Sequence, residues 1–284
     1  MYGTVDAPLR FFKTLSKYLI DKIGLTQCLS EPCLFFKKDK EGKLLLIVVT
    51  FVDDILIAGT RKHVDQFKED IQQRFKISDL GPLKKHLGIW YKWMKDENNE
   101  RYLVGTMDKM VQDIIDDFVK HTGHEAKISK TPASPGSSLI QGEDETMMQA
   151  QYMSMVGKLM YLITKILGEC ANSVRELAKF FGNPGPTHWA ALEKLVGYIK
   201  YIQEDIKVTY RKPKELRVIN YVDSNFSSNK DDRKSITGMH CTLGGTLTGW
   251  ASRTQKSVTL SSTEAEYVAL ATCCQDARYV QQMV

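Results

Sequence analysis

LLLIVVTFVDDILIAG, residues 44–59, sets two apolar, strand-like runs on either side of Asp53-Asp54. The first run is rich in β-branched residues, and the second resumes the strand pattern directly after the acids. The reading is a hairpin with acid at its tip. Two adjacent carboxylates after a buried apolar strand are costly unless something positive compensates them. Mg²⁺, which takes hard oxygen ligands, is the natural candidate, because carboxylates on a rigid hairpin are how nucleotidyl-transfer sites clamp metal against phosphate. An Asp-Asp turn that simply closes a β-hairpin is the alternative.

Outward from this stretch the periodicity alternates between helix and strand. Residues 10–23 place Phe11, Phe12, Leu15, Leu19 and Ile23 at helical spacing, and CLFFK from Cys33 reads as a strand. Residues 62–75 set Val64, Phe67, Ile71 and Phe75 on one face of a second helix, closed by a loop containing Gly81-Pro82. A β pair is predicted over 86–105, turning at the polar DENNE, followed by a helix over 107–121. Thr131 to Glu145 concentrates Pro, Gly, Ser and acids with little periodicity and reads as a connector. Helices are predicted at 150–167, 171–182 and 187–203, the last with Thr187 as its cap. From Lys207 come short strands, VTY, LRVINYVD, SITGMHCTL, TLTGWAS and SVTLS, before a terminal helix. Strands followed by a helix indicate an α+β second domain.

With 43% hydrophobic and 26% charged residues over 284 positions, the chain has an ordinary globular composition. The most apolar run, Leu44 to Val52, is about half of what a spanning helix needs. No membrane segment and no secretory signal are visible, so an intracellular location is expected. Six cysteines lie outside any CxxC or Cys/His set, so neither a zinc site nor a disulfide framework is indicated. A formal charge of +5 is compatible with a polyanionic partner and equally with an ordinary surface.

At FVDDILIAG the sequence resembles the reverse transcriptase and ribonuclease H region of copia-type LTR retrotransposon polyproteins, whose YVDD box it matches. The resemblance continues collinearly through MYGTVDAPLRFF, EPCLFF, SDLGPLKKHLGI, KTPASP, YMSMVGKLMYL, PTHWAALEKLVGYIK, YVDSNFSSNKDDRKSITG and SSTEAEYVAL. It implies an α+β fold: a partial reverse transcriptase palm and thumb over 1–130, a linker and helical connection over 131–205, and the N-terminal part of a ribonuclease H-like domain over 206–284. It further implies that Asp53 and Asp54 hold polymerase metals, and that Asp223 and Glu266 are the first two ribonuclease H carboxylates. Glu264 competes with Glu266, since two residues apart on a helix means nearly opposite directions; both being solvated acids at a helix start is the plain alternative. The implied cofactor is Mg²⁺. The implied partners are an RNA template, a DNA primer or RNA–DNA hybrid, and deoxynucleoside triphosphates, with phosphate contacts and aromatic stacking spread over the thumb-like and connection-like helices. His86 falls near the primer-contacting element, whereas His188-Trp189 reads as packing.

The departures from the family pattern point to incomplete chemistry. The strand that carries a third polymerase carboxylate has no counterpart before Phe51, where Asp6, Asp21, Glu31, Asp39 and Glu41 fall in loops or on helix faces. Asp6 stands where the family has a nucleotide-contacting Gln, Phe51 stands in place of Tyr, and TKILGE replaces an R-P-D segment. The strand with the next ribonuclease H Asp is likewise not reached by Val284. The expectation is a fragment or degenerate copy in which both metal sites are half-built and Mg²⁺ binding is weak or absent. A non-catalytic nucleic-acid-binding or interaction protein of retroelement origin is the alternative.

Overall fold

The computed structural model describes residues 6–134, 139–140, 146–229 and 232–283. These fall into two compact units, one of residues 6–83 with 279–283 and one of residues 84–278. The first five residues of the MYGTV segment, most of the Thr131 to Glu145 connector, and Asp231 lie outside the described residues.

The first unit opens with α1 (Ala7–Asp21), in which Pro8 sits in the first turn, where a missing N–H costs nothing. Four strands follow, β1 (Thr26–Gln27), β2 (Leu34–Lys38), β3 (Leu44–Phe51) and β4 (Asp54–Gly59), and then α2 (Arg61–Gln72). The strands pair antiparallel in the order β1-β2-β3-β4. Period-two alternation sends Leu46 and Val48 of β3 inward, where they meet Leu15 and Leu19 of α1 and Phe67 and Ile71 of α2 around Phe35. Both helices start earlier and end sooner than their apolar stripes, by one to three residues.

The second unit begins with β5 (Lys85–His86), β6 (Ile89–Lys95) and β7 (Arg101–Thr106), and continues through α3 (Asp108–Thr122), α4 (Gln149–Lys165), α5 (Ala171–Ala178) and α6 (Pro186–Ile202). After β8 (Lys207–Tyr210) come β9 (Val218–Asn225), β10 (Ile236–Leu243), β11 (Thr246–Thr254) and α7 (Ser262–Met283). One core joins the four helices α3–α6 to Ile89 and Val208, running across residues 130 and 205. Tyr152 and Trp189 meet edge to face at its centre, and the buried Tyr152 hydroxyl donates to the Leu177 carbonyl at 2.9 Å. All sheets are antiparallel.

Three local expectations are corrected. Residues 207–210 do not join the later strands: β8 pairs with β7, closing the sheet β5-β6-β7-β8, because Ile206 and Val208 are buried in the helical core and hold the strand there. SVTLS is not a strand; its Leu260 N–H is taken by the Glu264 carboxylate at 2.6 Å and its Thr259 hydroxyl by Ser235, so this backbone serves the start of α7. The cap of α6 is Gly185 and not Thr187. Pro186 takes the first helical position, and the Gly185 N–H donates to Nδ1 of the buried His188 at 2.8 Å. His188 Nε2 then faces the Ile140 carbonyl at 3.1 Å, and the ring stacks on Phe180, which is the packing role its sequence context suggested.

Candidate functional site

The β3–β4 hairpin turns through Val52 and Asp53, with Phe51 opposite Asp54 in register. Val52 has a φ of 52°, in the left-handed region where a β-branched residue is strained. Phe51, Val52, Asp53 and Asp54 are all exposed, and neither carboxylate makes a hydrogen bond or ion pair among the described residues. The tip therefore presents two adjacent charges on a tight turn, with a four-stranded sheet behind it. Replacing both, Asp53→Asn with Asp54→Asn, is expected to leave the melting temperature unchanged or raised, since the pair repels itself and supports nothing nearby. Thermal unfolding checks this; a loss beyond about 2 kcal/mol would show that an Asp side chain closes the turn through backbone hydrogen bonds.

Of the five earlier acids, Asp6, Glu31 and Asp39 have partners of their own. Asp6 flanks the start of α1 beside Arg10. Asp39 accepts the N–H groups of Glu41 and Lys43. Glu31 accepts the Tyr279 hydroxyl at 2.6 Å and the Cys33 N–H at 3.0 Å, and these bonds, the first foremost, lower its pKa. In the SDLG element, Lys68 bonds to Asp79 and draws its pKa down, and the same carboxylate accepts the Gly81 N–H.

In the second acidic pair, Glu266 meets the residue next to Asp223. Strand alternation puts Asp223 on the face of β9 that carries Tyr221, opposite Gly238 of β10 and beside His240, which stacks on Tyr221 at 4.6 Å. Glu266 approaches from α7 on the other face: its carboxylate accepts the Ser224 hydroxyl at 2.7 Å and the Ser224 N–H at 3.3 Å. Glu264 is engaged in capping, accepting from Leu260 N–H while its own N–H donates to Ser261 Oγ. In the DDRKS loop, Asp232 accepts from Asn229 and from the Lys234 N–H and pairs with the Lys234 ammonium, a self-satisfied turn. Among the described residues no three or more His, Cys, Asp or Glu side chains converge on a position for a metal ion. The carboxylates described are two adjacent ones at the hairpin tip and, elsewhere, Asp223 beside the Ser224 that Glu266 holds.

The cationic and aromatic groups are distributed differently from the sequence expectation. On the helices, Lys158 pairs with Asp117, Arg175 and Lys179 with Glu176, and Lys200 with Glu125. On the sheet β5-β6-β7-β8 three cations lie over rings, Lys85 over Trp90 at 5.0 Å, Arg101 over Trp93 at 4.7 Å and Arg211 over Tyr102 at 4.2 Å, and on α4 Lys165 lies over Tyr161 at 5.4 Å. Of this set the sequence offers only Lys85, in the basic run Lys84-Lys85, as a phosphate contact; the pairing of each cation with its ring was missed. The alternation of Trp90, Lys92 and Met94 was available as a signal, but the arrival of Arg211 from beyond β8 was not. No helix among the described residues is long and apolar enough to cross a membrane.

Residues 1–127 match the family described as reverse transcriptase (RNA-dependent DNA polymerase). Over 277 residues, 95% of the chain, the sequence is 30% identical to the retrovirus-related Pol polyprotein from transposon TNT 1-94 of Nicotiana tabacum, covering 20% of that polyprotein. It is 29% identical over 284 residues, 99% of the chain, to the Pol polyprotein from transposon RE1 of Arabidopsis thaliana, covering 18% of it. A putative transposon Ty5-1 protein of Saccharomyces cerevisiae is 26% identical over 272 residues, 94% of this chain and 84% of that protein. The chain thus spans about a fifth of the length of the plant polyproteins it matches.

Proposed function

The chain belongs to the copia-type LTR-retrotransposon Pol polyprotein family, corresponding to part of its reverse transcriptase and ribonuclease H region, and on that premise we propose that it is a nucleic-acid-binding part of an RNA-directed DNA polymerase that does not turn over by itself. In this reading residues 6–83 are palm, the helical core around α3–α6 is thumb and connection, and β9–β11 with α7 are ribonuclease H-like. Primer, template or RNA–DNA hybrid are its partners. Asp53 and Asp54 are the metal-facing pair of the polymerase site, with deoxynucleoside triphosphate as the substrate of the intact site; Asp223 and Glu266 are the corresponding remnant for hybrid cleavage.

The observation that carries the proposal is the hairpin tip, where a strained Val52 holds two carboxylates that have no partner among the described residues, exposed at the end of an antiparallel sheet. Strain and unpartnered charge at one place are what stability alone removes and function retains. The reading without turnover is favoured over an active one by the ligand count: in-line phosphoryl transfer needs two metals within about 4 Å of one another, and two side chains are too few to fix both.

The test is primer extension and hybrid cleavage with Mg²⁺ on this chain, alongside direct binding of the same substrates. Binding without extension or cleavage is the expected result. Mg²⁺-dependent extension abolished by Asp53→Asn would show that an acid assigned here to a structural role completes the site, and absence of binding would remove the nucleic-acid reading altogether.

A further inference from the structure

The sheet β5-β6-β7-β8 has one face in the core and one in solvent. Ile89, Tyr91 and Val208 point inward, and Tyr91 packs with Tyr210. The alternate positions, Trp90, Lys92 and Met94 of β6, with Tyr102, Val104 and Thr106 across β7 and Lys207 and Thr209 across β8, share the other face. Trp90 keeps 49% of its surface and Met94 37%, large for apolar side chains on a regular strand. The face carries four cations, Lys85, Lys92, Lys207 and Arg211, against three acids at its margin, Asp96 beside Arg211 at 3.0 Å, Asp205 beside Lys207 at 3.7 Å and Asp108, which accepts the Thr106 hydroxyl at 3.0 Å.

We propose that this face is a stacking platform for the unpaired bases of a single-stranded nucleic acid, with Trp90 and Tyr102 as the two ring positions and Lys85, Lys92, Lys207 and Arg211 tracking its phosphates. The proposal rests on the reading above that the partner is nucleic acid, and it names the form and the surface. Two features favour a single strand. A ring with a cation over its face is already arranged for a flat π-system with a phosphate beside it, so an arriving base takes the ring while the mobile ammonium or guanidinium moves to the phosphate. A duplex hides its base faces and would gain nothing from exposed indole. Trp90 and Tyr102 stand four residues apart along the strands and one strand across, about 14 Å, from roughly 3.4 Å per residue and 4.8 Å between strands. That exceeds the ~3.4 Å between stacked neighbours, so each ring receives a separate, unstacked base. Charge points the same way, since Lys85 and Lys92 on this face have no acid partner among the described residues, while Lys158, Arg175, Lys179 and Lys200 on the helices are held in ion pairs.

The experiment is fluorescence anisotropy of the full chain with a labelled oligothymidylate and, separately, an RNA–DNA hybrid of equal length. Trp90→Ala is expected to weaken oligothymidylate binding about tenfold or more, Trp90→Phe to restore it to within about threefold, and Lys92→Glu, which disturbs no packing, to weaken it severalfold, while Trp90→Ala changes hybrid binding less than twofold. Unchanged single-strand affinity in both Trp90→Ala and Lys92→Glu overturns the proposal, as does an equal loss on the two substrates. Wild-type binding to the oligonucleotide but not to the hybrid would uphold the platform and sink the primer-template reading. The reverse would sink the platform and leave that reading standing.

Discussion

Raising salt from about 50 to about 200 mM should weaken binding of this chain to an RNA–DNA hybrid by about a hundredfold to a thousandfold, a steeper change than any single substitution on its surface should cause. The magnitude follows from counterion release. About four to six phosphates neutralised by Lys and Arg give a slope of about −3.6 to −5.4 in log affinity against log salt. The contributing cations are exposed ones outside the single-strand platform that have no acid partner among the described residues, Lys84, Lys109, Lys120 and Lys127 among them. The formal +5 of the chain ensures attraction at long range but not a site. Titrations at four salt concentrations measure the slope. Salt-independent association, or none at the lowest salt, would contradict both the phosphate contacts and the partner class.

A large effect on stability is expected from Gly197→Ala. In the interior of a helix this change ordinarily stabilises by about 1 kcal/mol, because glycine has more backbone freedom to lose. Gly197 lies in α6 where segment 127–129 crosses it: an added Cβ would stand 1.8 Å from the Lys127 carbonyl oxygen and 2.9 Å from its carbon. The Ser129 N–H also donates to the Gly197 carbonyl at 3.3 Å, so the crossing chain cannot back away without losing that bond. Backbone against backbone cannot be relieved by a rotamer change, and a loss of about 3 kcal/mol is expected, lowering the midpoint of thermal unfolding by about 6 to 12 °C. Gly157, exposed in α4 with nothing within 4 Å of an added Cβ, is the internal control. Gly157→Ala should stabilise by about 1 kcal/mol. Calorimetry on the two variants therefore tests opposite signs, and a Gly197→Ala protein as stable as the parent would mean that the close crossing does not exist in solution.

What lay in the amino-acid sequence itself was the part of the fold that neighbours in the chain decide. The alternation through Leu46 and Val48, the tip at Asp53-Asp54, the DENNE turn and the stripes Leu15/Leu19 and Phe67/Ile71 each depend on spacings of two to four residues, and each is where the periodicity placed it. His188-Trp189 read as packing for the same reason, being set on the apolar side of a helix start. Only the tertiary structure decided which distant partner completes each group. β8 reads like its successors, yet burial of Ile206 and Val208 commits it to β7, about a hundred residues earlier in the chain. The face of β9 that Glu266 meets depends on how α7 lies over the sheet, which two-residue spacing within SSTEAEYVAL does not specify; its side chain bonds to Ser224, next to Asp223. Arg211 covers Tyr102, and Lys127 crosses Gly197, for the same reason: contacts between segments tens to more than a hundred residues apart are set by competition for buried area across the whole core, and no local pattern records the outcome.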